Sequence, residues 1–223
     1  MESQSFIQSF ITDFQGDGKW ALIPIAFTFA LSIAFTLERF VRLFLQYNID
    51  GASFMFEIQK FILANDLDGA IRVCNGAGRA ALPKVIKAGL QRASRDETQI
   101  QNALDASSLE MIPKLERRLS NLALIANIAT LLGLLGTIMG LIKSFAAVAL
   151  GDPAQRQAIL ASGIAQAMNA TALGLVTAIF TMVVHTILTN RATKILEEID
   201  EFGVKLLDLL SARKFRHSSE RTE

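Results

Sequence analysis

Three long runs along the chain contain apolar and small residues but no Asp, Glu, Lys or Arg. They extend over residues 20–37, 119–142 and 157–190, and charged residues return every few positions between them. About 20 such residues are enough for a helix to cross the hydrocarbon core of a bilayer. The pattern therefore predicts an all-α membrane protein with three transmembrane helices.

These runs and the stretches between them predict seven segments with different surroundings. In chain order they are an amphipathic N-terminal segment at the membrane surface (1–19), transmembrane helix 1 (20–41), a helical domain in water (42–118), transmembrane helix 2 (119–147), a turn (148–157), transmembrane helix 3 (158–190), and a C-terminal helix with a polar tail (191–223).

The domain between the first two spans is predicted to be helical, because apolar residues recur at helical spacing among its charged residues. Phe54, Ile58 and Ile62 recur at helical spacing. Breaks are expected at Asn65-Asp66 and at residues 75–78, which read Asn-Gly-Ala-Gly. A long helix is predicted from Asp96 into the second span. Because Pro113 lies inside it, a kink is expected just before the membrane.

The distribution of Lys and Arg predicts the orientation. Residues 42–118 carry eleven of these cations and residues 191–223 carry seven, whereas the N-terminal segment and the 148–157 turn carry one each. Cytoplasmic segments next to membrane helices are enriched in Lys and Arg. We therefore expect the domain and the C-terminus in the cytoplasm, and the N-terminus and the turn on the periplasmic side.

The second and third spans each contain a seam of small residues at alternating steps of three and four. In the second span the seam consists of Ala123, Ala126, Thr130, Gly133, Thr137, Gly140, Ser144 and Ala147; in the third it consists of Ala167, Thr171, Gly174, Ala178, Thr181 and His185. Seams of this kind let helix backbones approach closely inside a membrane. The two seams are expected either to pack together or to face one central space, and the first span, which lacks such a seam, is expected to face lipid.

The seams also carry hydroxyl groups that lipid cannot hydrogen-bond. A hydroxyl in a membrane helix commonly donates to its own backbone, and for any single threonine this structural role is at least as well supported as a functional one. Two aligned seams favour a wetted path. The candidate pathway residues are Thr130, Thr137, Ser144, Thr171 and Thr181, with Gly133, Gly140, Gly174 and Ala178 as small residues facing the same space.

Composition excludes several other kinds of function. The net charge is +1 and no basic run is interleaved with aromatic residues, which argues against nucleic-acid binding. The single cysteine, Cys74, cannot form an intrachain disulfide and is expected to be buried. No catalytic constellation, cofactor motif or metal-ligand spacing occurs, so the chain is not expected to be an enzyme.

The absence of acidic residues between the charges that flank each span constrains any proton pathway. Proton transfer through a membrane normally requires a titratable relay. If this chain forms such a pathway, the carboxylate must come from another polypeptide, and the chain itself supplies a hydroxyl-lined sleeve.

Three sequence stretches closely resemble the MotA/TolQ/ExbB proton-channel family, and within it the ExbB/TolQ branch. They are PKLERRLSNLALIANIAT at 113–130, LLGLLGTIMGLIKSF at 131–145 and GIAQAMNATALGLVTAI at 163–179. The Glu38-Arg39 ending of the first span and the three-span topology agree with the resemblance, which covers nearly the whole chain. MotA itself is a poorer match because it has four spans.

The resemblance implies a homopentamer in the bacterial inner membrane with two single-span partner helices of the ExbD/TolR type in its central pore. Each partner helix would bring the membrane aspartate that this chain lacks. A TonB/TolA-like transducer is a further implied partner. The pore-facing threonines of the family fall on Thr137 and Thr171 here. Proton flow past the partner's aspartate would drive rotation and deliver work to the envelope or to transport.

Two positions depart from the family pattern. Relatives commonly have Glu where this chain has Gln166, and Pro where it has Thr130. Because Gln166 cannot titrate, the sequence also admits a second hypothesis, a non-conducting oligomeric scaffold of an envelope complex. A solute transporter is a more distant alternative, since three spans without broken helices or internal repeats argue against it.

Overall fold

The computed structural model describes residues 19–150 and 153–219, all of whose regular elements are helical. The amphipathic segment predicted at 1–19 lies outside the described residues except for Lys19. The helices are α1 (Lys19–Val41), α2 (Gly51–Leu63), α3 (Leu67–Gly76), α4 (Ala81–Leu90), α5 (Glu97–Glu116), α6 (Leu119–Leu150) and α7 (Arg156–Ser219), with a π-helical turn at Arg42–Gln46 after α1. Three helices are long and apolar enough to cross a membrane, which confirms the predicted fold class.

Turn and capping residues end the short helices where the sequence predicts. After α2 the chain turns through Asn65, which adopts a φ of 61°. Asp66 then caps α3, since its carboxylate accepts a 2.8 Å hydrogen bond from the backbone N–H of Gly69. Gly78, with a φ of 65°, follows the end of α3.

The long helix predicted from Asp96 into the second span is two helices. Helix α5 ends at Glu116, and α6 begins at Leu119. Arg117 is extended, and Arg118 adopts a φ of 65°, which a helix cannot contain. Pro113, one turn before this break, lacks the N–H that would continue the helical ladder. The expected kink is thus a complete break four residues further along the chain.

The described residues form two compact units. The first, which we call the span unit, contains residues 19–38 and 118–187. Its core combines large and small apolar residues: Leu22, Ile25 and Ala170 form one buried cluster, and Ala126, Ala129 and Ala178 form another. Many further large apolar side chains are exposed, as Phe27 at 68% and Ile179 at 64% illustrate. A surface of this composition is suited to lipid.

The second, which we call the domain unit, contains residues 39–117 and 188–219. It buries large side chains from α2, α4, α5 and α7, among them Ile58, Ile62, Ile86, Ile100, Met111, Leu115 and Leu206, each at most 2% exposed. The C-terminal part of α7 packs in this core, where Phe202 lies against Gly51 and Leu206 lies against Gly89. Phe202 and Leu206, in the part of the chain predicted as a C-terminal helix, thus have partners inside this unit.

One buried cation caps a helix of the domain unit. Arg39 is 1% exposed, and its guanidinium donates to the carbonyl oxygens of Lys114 (3.4 Å) and Leu115 (3.1 Å) in the last turn of α5. These carbonyls lack helical donors, so the arginine satisfies groups that burial would otherwise leave unpaired. Cys74 is also buried, as expected, and burial raises the pKa of its thiol to about 11.

Candidate functional site

The seams of α6 and α7 lie against each other within one chain. A Cβ placed on Gly133 would lie 3.2 Å from the Cα of Thr171, and one placed on Gly174 would lie 2.7 Å from the carbonyl oxygen of Ala129. Further along, Gly140 meets Ala167 in the same way. The helix backbones therefore touch, as the first of the two predicted arrangements requires. Whether Gly133, Gly140, Gly174 and Ala178 also border a central space stays a prediction.

Thr171 joins the two helices directly. Its hydroxyl donates a 2.9 Å hydrogen bond to the carbonyl oxygen of Gly133, in α6. The other seam hydroxyls donate within their own helix: Thr130 to Ala126, Thr137 to Leu134 and Ser144 to Gly140. A threonine at 171 therefore fixes the register of the two helices, while its oxygen keeps lone pairs that can accept from water or a passing proton donor.

A stripe on α6 extends beyond the contact with α7. It consists of Thr130, Leu134, Thr137 and Leu141, which follow one another at steps of four, three and four. Leu134 and Leu141 are exposed in the single chain, and Thr137 is half-buried. Helix α1 covers a different part of α6, since its Ala21 lies near Gly136. The stripe is thus available to a second helix, and its two hydroxyls, on Thr130 and Thr137, are about two helical turns apart.

Thr181 has a different environment from the other candidate pathway residues. It is fully buried, and its hydroxyl lies 2.7 Å from that of Ser32 in α1, while it also donates to the carbonyl of Thr177 at 2.7 Å. The first span therefore does not only face lipid. The half-buried Ala21 and the buried Ile25, Thr28 and Ser32 step by four, three and four, and this weaker seam is the sequence signal that could have revealed the contact.

The described span unit contains one acidic side chain, Glu38. Its carboxylate pairs with Arg118, whose guanidinium also lies 5.8 Å from the centre of the Phe35 ring. The ion pair joins the end of the first span to the residue just before α6. No group of three His, Cys, Asp or Glu residues able to hold a metal ion occurs in the described part of the chain.

Gln166 lies apart from the threonines. It lines a cleft of about 260 Å³ that is bordered by α1, α6 and α7 and that also includes Trp20 and Lys143. Gln166 stands where relatives commonly have Glu. Within a single chain its amide therefore lies in the same cleft as the Lys143 cation, and not on the stripe that contains Thr137.

Comparison with known proteins identifies the family. Residues 78–201 match the MotA/TolQ/ExbB proton channel family. The Tol-Pal system protein TolQ of Haemophilus influenzae is 35% identical over 122 residues, which are 53% of this chain and 53% of that protein. An ExbB-like protein of Synechocystis sp. is 27% identical over 166 residues, covering 74% of this chain and 78% of its own length.

An ExbB homolog of Methanothermobacter thermautotrophicus is 29% identical over 135 residues, or 59% of this chain. The match covers 47% of that protein, so the chain spans about half the length of this relative. The matched family region takes in most of the domain between the first two spans, the second and third spans, and both small-residue seams. The resemblance noted in the sequence is confirmed, and the chain is a multi-pass membrane protein that belongs to the MotA/TolQ/ExbB proton channel family.

Proposed function

We propose that this protein is the channel subunit of an inner-membrane motor driven by the proton-motive force. Five copies form a sleeve around two single-span helices of the ExbD/TolR type, each of which supplies a proton-carrying aspartate. Ion flow through the sleeve is coupled to work on the cell envelope or to transport, through a TonB/TolA-like transducer. The N-terminus is periplasmic, and the domain unit and C-terminus are cytoplasmic.

This proposal rests on two features of the described spans taken together: they carry seams of hydroxyl-bearing residues, and they contain no carboxylate other than that of Glu38. The spans contain hydroxyls at regular helical spacing, and the one acidic group in the described span unit is occupied by Arg118. Such a wall can guide a proton but cannot relay it by itself. Membership of a proton channel family, with relatives named TolQ and ExbB, supports the same conclusion.

Proton uptake into vesicles that contain the chain and its single-span partner tests the proposal. Replacing the partner's membrane aspartate by asparagine should abolish uptake, and Thr137→Val should reduce it while the complex still assembles. Thr171→Val should reduce uptake too, but it also removes the hydrogen bond to Gly133. Thr171→Ser, which restores the hydroxyl, should therefore recover both assembly and flux.

Thr186→Val is the matched control. Thr186 is an exposed residue of α7 whose hydroxyl donates at 3.0 Å to the carbonyl of Met182 in the same helix. Its replacement should leave uptake unchanged. Undiminished flux in both Thr137→Val and Thr171→Val would contradict the assigned pathway residues. Mass measurement of the intact complex checks the proposed ratio of five copies to two.

Gln166 motivates the second candidate, a non-conducting scaffold of an envelope complex. The amide cannot titrate, and the seam hydroxyls donate to backbone carbonyls as they do in purely structural helices. In that case cells should function normally after the partner's aspartate is replaced by asparagine, whereas deletion of this chain should still abolish the function.

A further inference from the structure

An apolar cleft with one cation lies at the end of the span unit where α1 begins. Its volume is about 260 Å³, and it is lined mainly by the apolar surfaces of α1, α6 and α7, including Pro24, Leu135, Gly136 and Met139. Beside the cleft, a Cβ placed on Gly136 would lie 2.6 Å from the Cβ of Ala170 and 3.3 Å from that of Ala21, so the three helices meet there through small residues. Its size is below the range of about 300–1,000 Å³ typical of pockets for compact small molecules.

The polar groups of the cleft lie among residues that suit a membrane interface. Lys143 is exposed, Trp20 is 77% exposed, and the Gln166 amide is half-buried. Among the described residues, the lining contains no Asp or Glu. Pro24 has no N–H, so the Trp20 carbonyl lacks the helical donor that position 24 would otherwise supply. The cleft thus combines an apolar slot with three polar groups: the Trp20 carbonyl oxygen, the Gln166 amide and the Lys143 cation.

We propose that this cleft binds a phospholipid with an anionic headgroup. One acyl chain lies in the slot along Met139 and Gly136, and the headgroup phosphate pairs with Lys143. Trp20 contributes its ring to the interfacial region, where tryptophan is favoured. A neutral amide at position 166 fits this ligand because a carboxylate there would repel the phosphate or neutralise Lys143. The proposal concerns a structural lipid and is independent of whether the channel conducts.

A lipid site has two alternatives: the cleft holds no ligand, or protein covers it. The three cases differ in the partner that Lys143 needs. A lysine at the end of a span can extend to the interface by itself, which requires no bound ligand. A second copy of the chain that covered the cleft would place a protein surface against Lys143, and that surface would have to supply its own anion. The apolar slot and the cation together favour a lipid, because one phospholipid supplies both the acyl chain and the anion.

The test is native mass spectrometry of the full-length protein in detergent, after removal of lipid and addition of phosphatidylglycerol or phosphatidylcholine. The wild-type protein should retain phosphatidylglycerol more strongly. Lys143→Gln should lower that preference by about fivefold, the amount expected for one basic side chain near an anionic lipid. Gln166→Glu should lower it as well. Leu135→Trp, which fills the slot, should reduce retention of both lipids.

Matched controls separate the cleft from the general surface. Lys19→Gln removes an exposed cation at the start of α1 that does not line the cleft, and Ile138→Trp adds the same bulk to a residue of α6 outside it. Neither should change lipid retention. Equal retention of the two lipids by the wild-type protein, or a loss in Lys19→Gln as large as that in Lys143→Gln, would overturn the proposal. So would an intact oligomer that retains no lipid.

Discussion

The span unit and the domain unit are both built from packed helices, but the span unit brings glycine backbones together at helix contacts and exposes many more large apolar side chains. The domain unit buries Ile58 and Ile86 completely and exposes charge, as a protein in water must. The span unit buries Gly133 and Gly174 at helix contacts and exposes residues such as Phe27 and Leu131. Water drives burial of large apolar groups, whereas lipid offers no such drive and leaves close backbone contact to hold the helices together.

The first prediction addresses side-chain volume and has the largest expected effect. Ile86→Ala should destabilise the protein by about 2–5 kcal/mol because a fully buried side chain leaves a cavity. Leu134→Ala, at a residue 54% exposed in the span unit, should change stability by less than about 0.5 kcal/mol. Thermal unfolding in detergent measures both. Equal losses would show that exposed residues of the span unit are packed in the isolated chain.

The second prediction concerns one added methyl group at two glycines of the same helix, α7. Gly174→Ala should destabilise the protein by about 1–3 kcal/mol because the new Cβ would lie 2.7 Å from the carbonyl oxygen of Ala129, which is backbone and cannot rotate away. Gly203→Ala has open space and should stabilise the helix by about 0.5–1 kcal/mol. Opposite signs of the stability change in the same unfolding assay would show that α7 is in close backbone contact at Gly174 and not at Gly203.

The third prediction isolates the polar contact between α1 and α7. A double-mutant cycle with Ser32→Ala and Thr181→Val should give a coupling energy of about 0.6 kcal/mol, and no more than about 1.7 kcal/mol, as for other hydrogen bonds inside membranes. The single variants and the double variant are compared by unfolding in mixed detergent micelles. A coupling energy of zero would mean that the two hydroxyls do not bond in the folded protein.

The smallest expected signal comes from Cys74 in the domain unit. With the thiol pKa raised to about 11 by burial, only about one thiol in a thousand is ionised at pH 8. Alkylation of the folded protein should be slow at pH 8 and should accelerate as the pH rises towards 11. The unfolded protein should react rapidly at pH 8. Fast labelling under native conditions would show that the domain unit opens readily to water.

Local chemistry predicted the number of spans and the ends of the short helices. Charge-free length marked the three spans, and Asn65 and Gly78 marked turns because they adopt positive φ readily. These features depend on residues close together in the sequence. The surfaces that α6 and α7 bury could be predicted in the same way, from their seams of small residues, but the surface that α1 buries was missed.

Periodicity alone did not decide the partner of each buried surface. It left two arrangements open for the seams of α6 and α7, of which the contact between them is one, and it did not link Ser32 to a threonine 149 residues away. The break at Arg117–Arg118 has a similar origin. Pro113 indicates that the helix is weakened, but Arg118 pairs with Glu38, 80 residues earlier, and this distant contact lies beside the place where the chain bends. Which residues line a pore also depends on the partner chains, so the assignment of the seam threonines to an ion pathway remains a prediction.

The close contact at Gly174, where α6 and α7 cross, determines which mutations this part of the protein tolerates. Every other amino acid carries a Cβ, so any missense mutation at the Gly174 codon introduces at least the same clash with the Ala129 backbone. At an exposed position such as Leu131, by contrast, many codon changes lead to another residue that lipid accepts equally well. Genetic variation in this membrane region should therefore be abundant on its outer surface and nearly absent along the helix crossing.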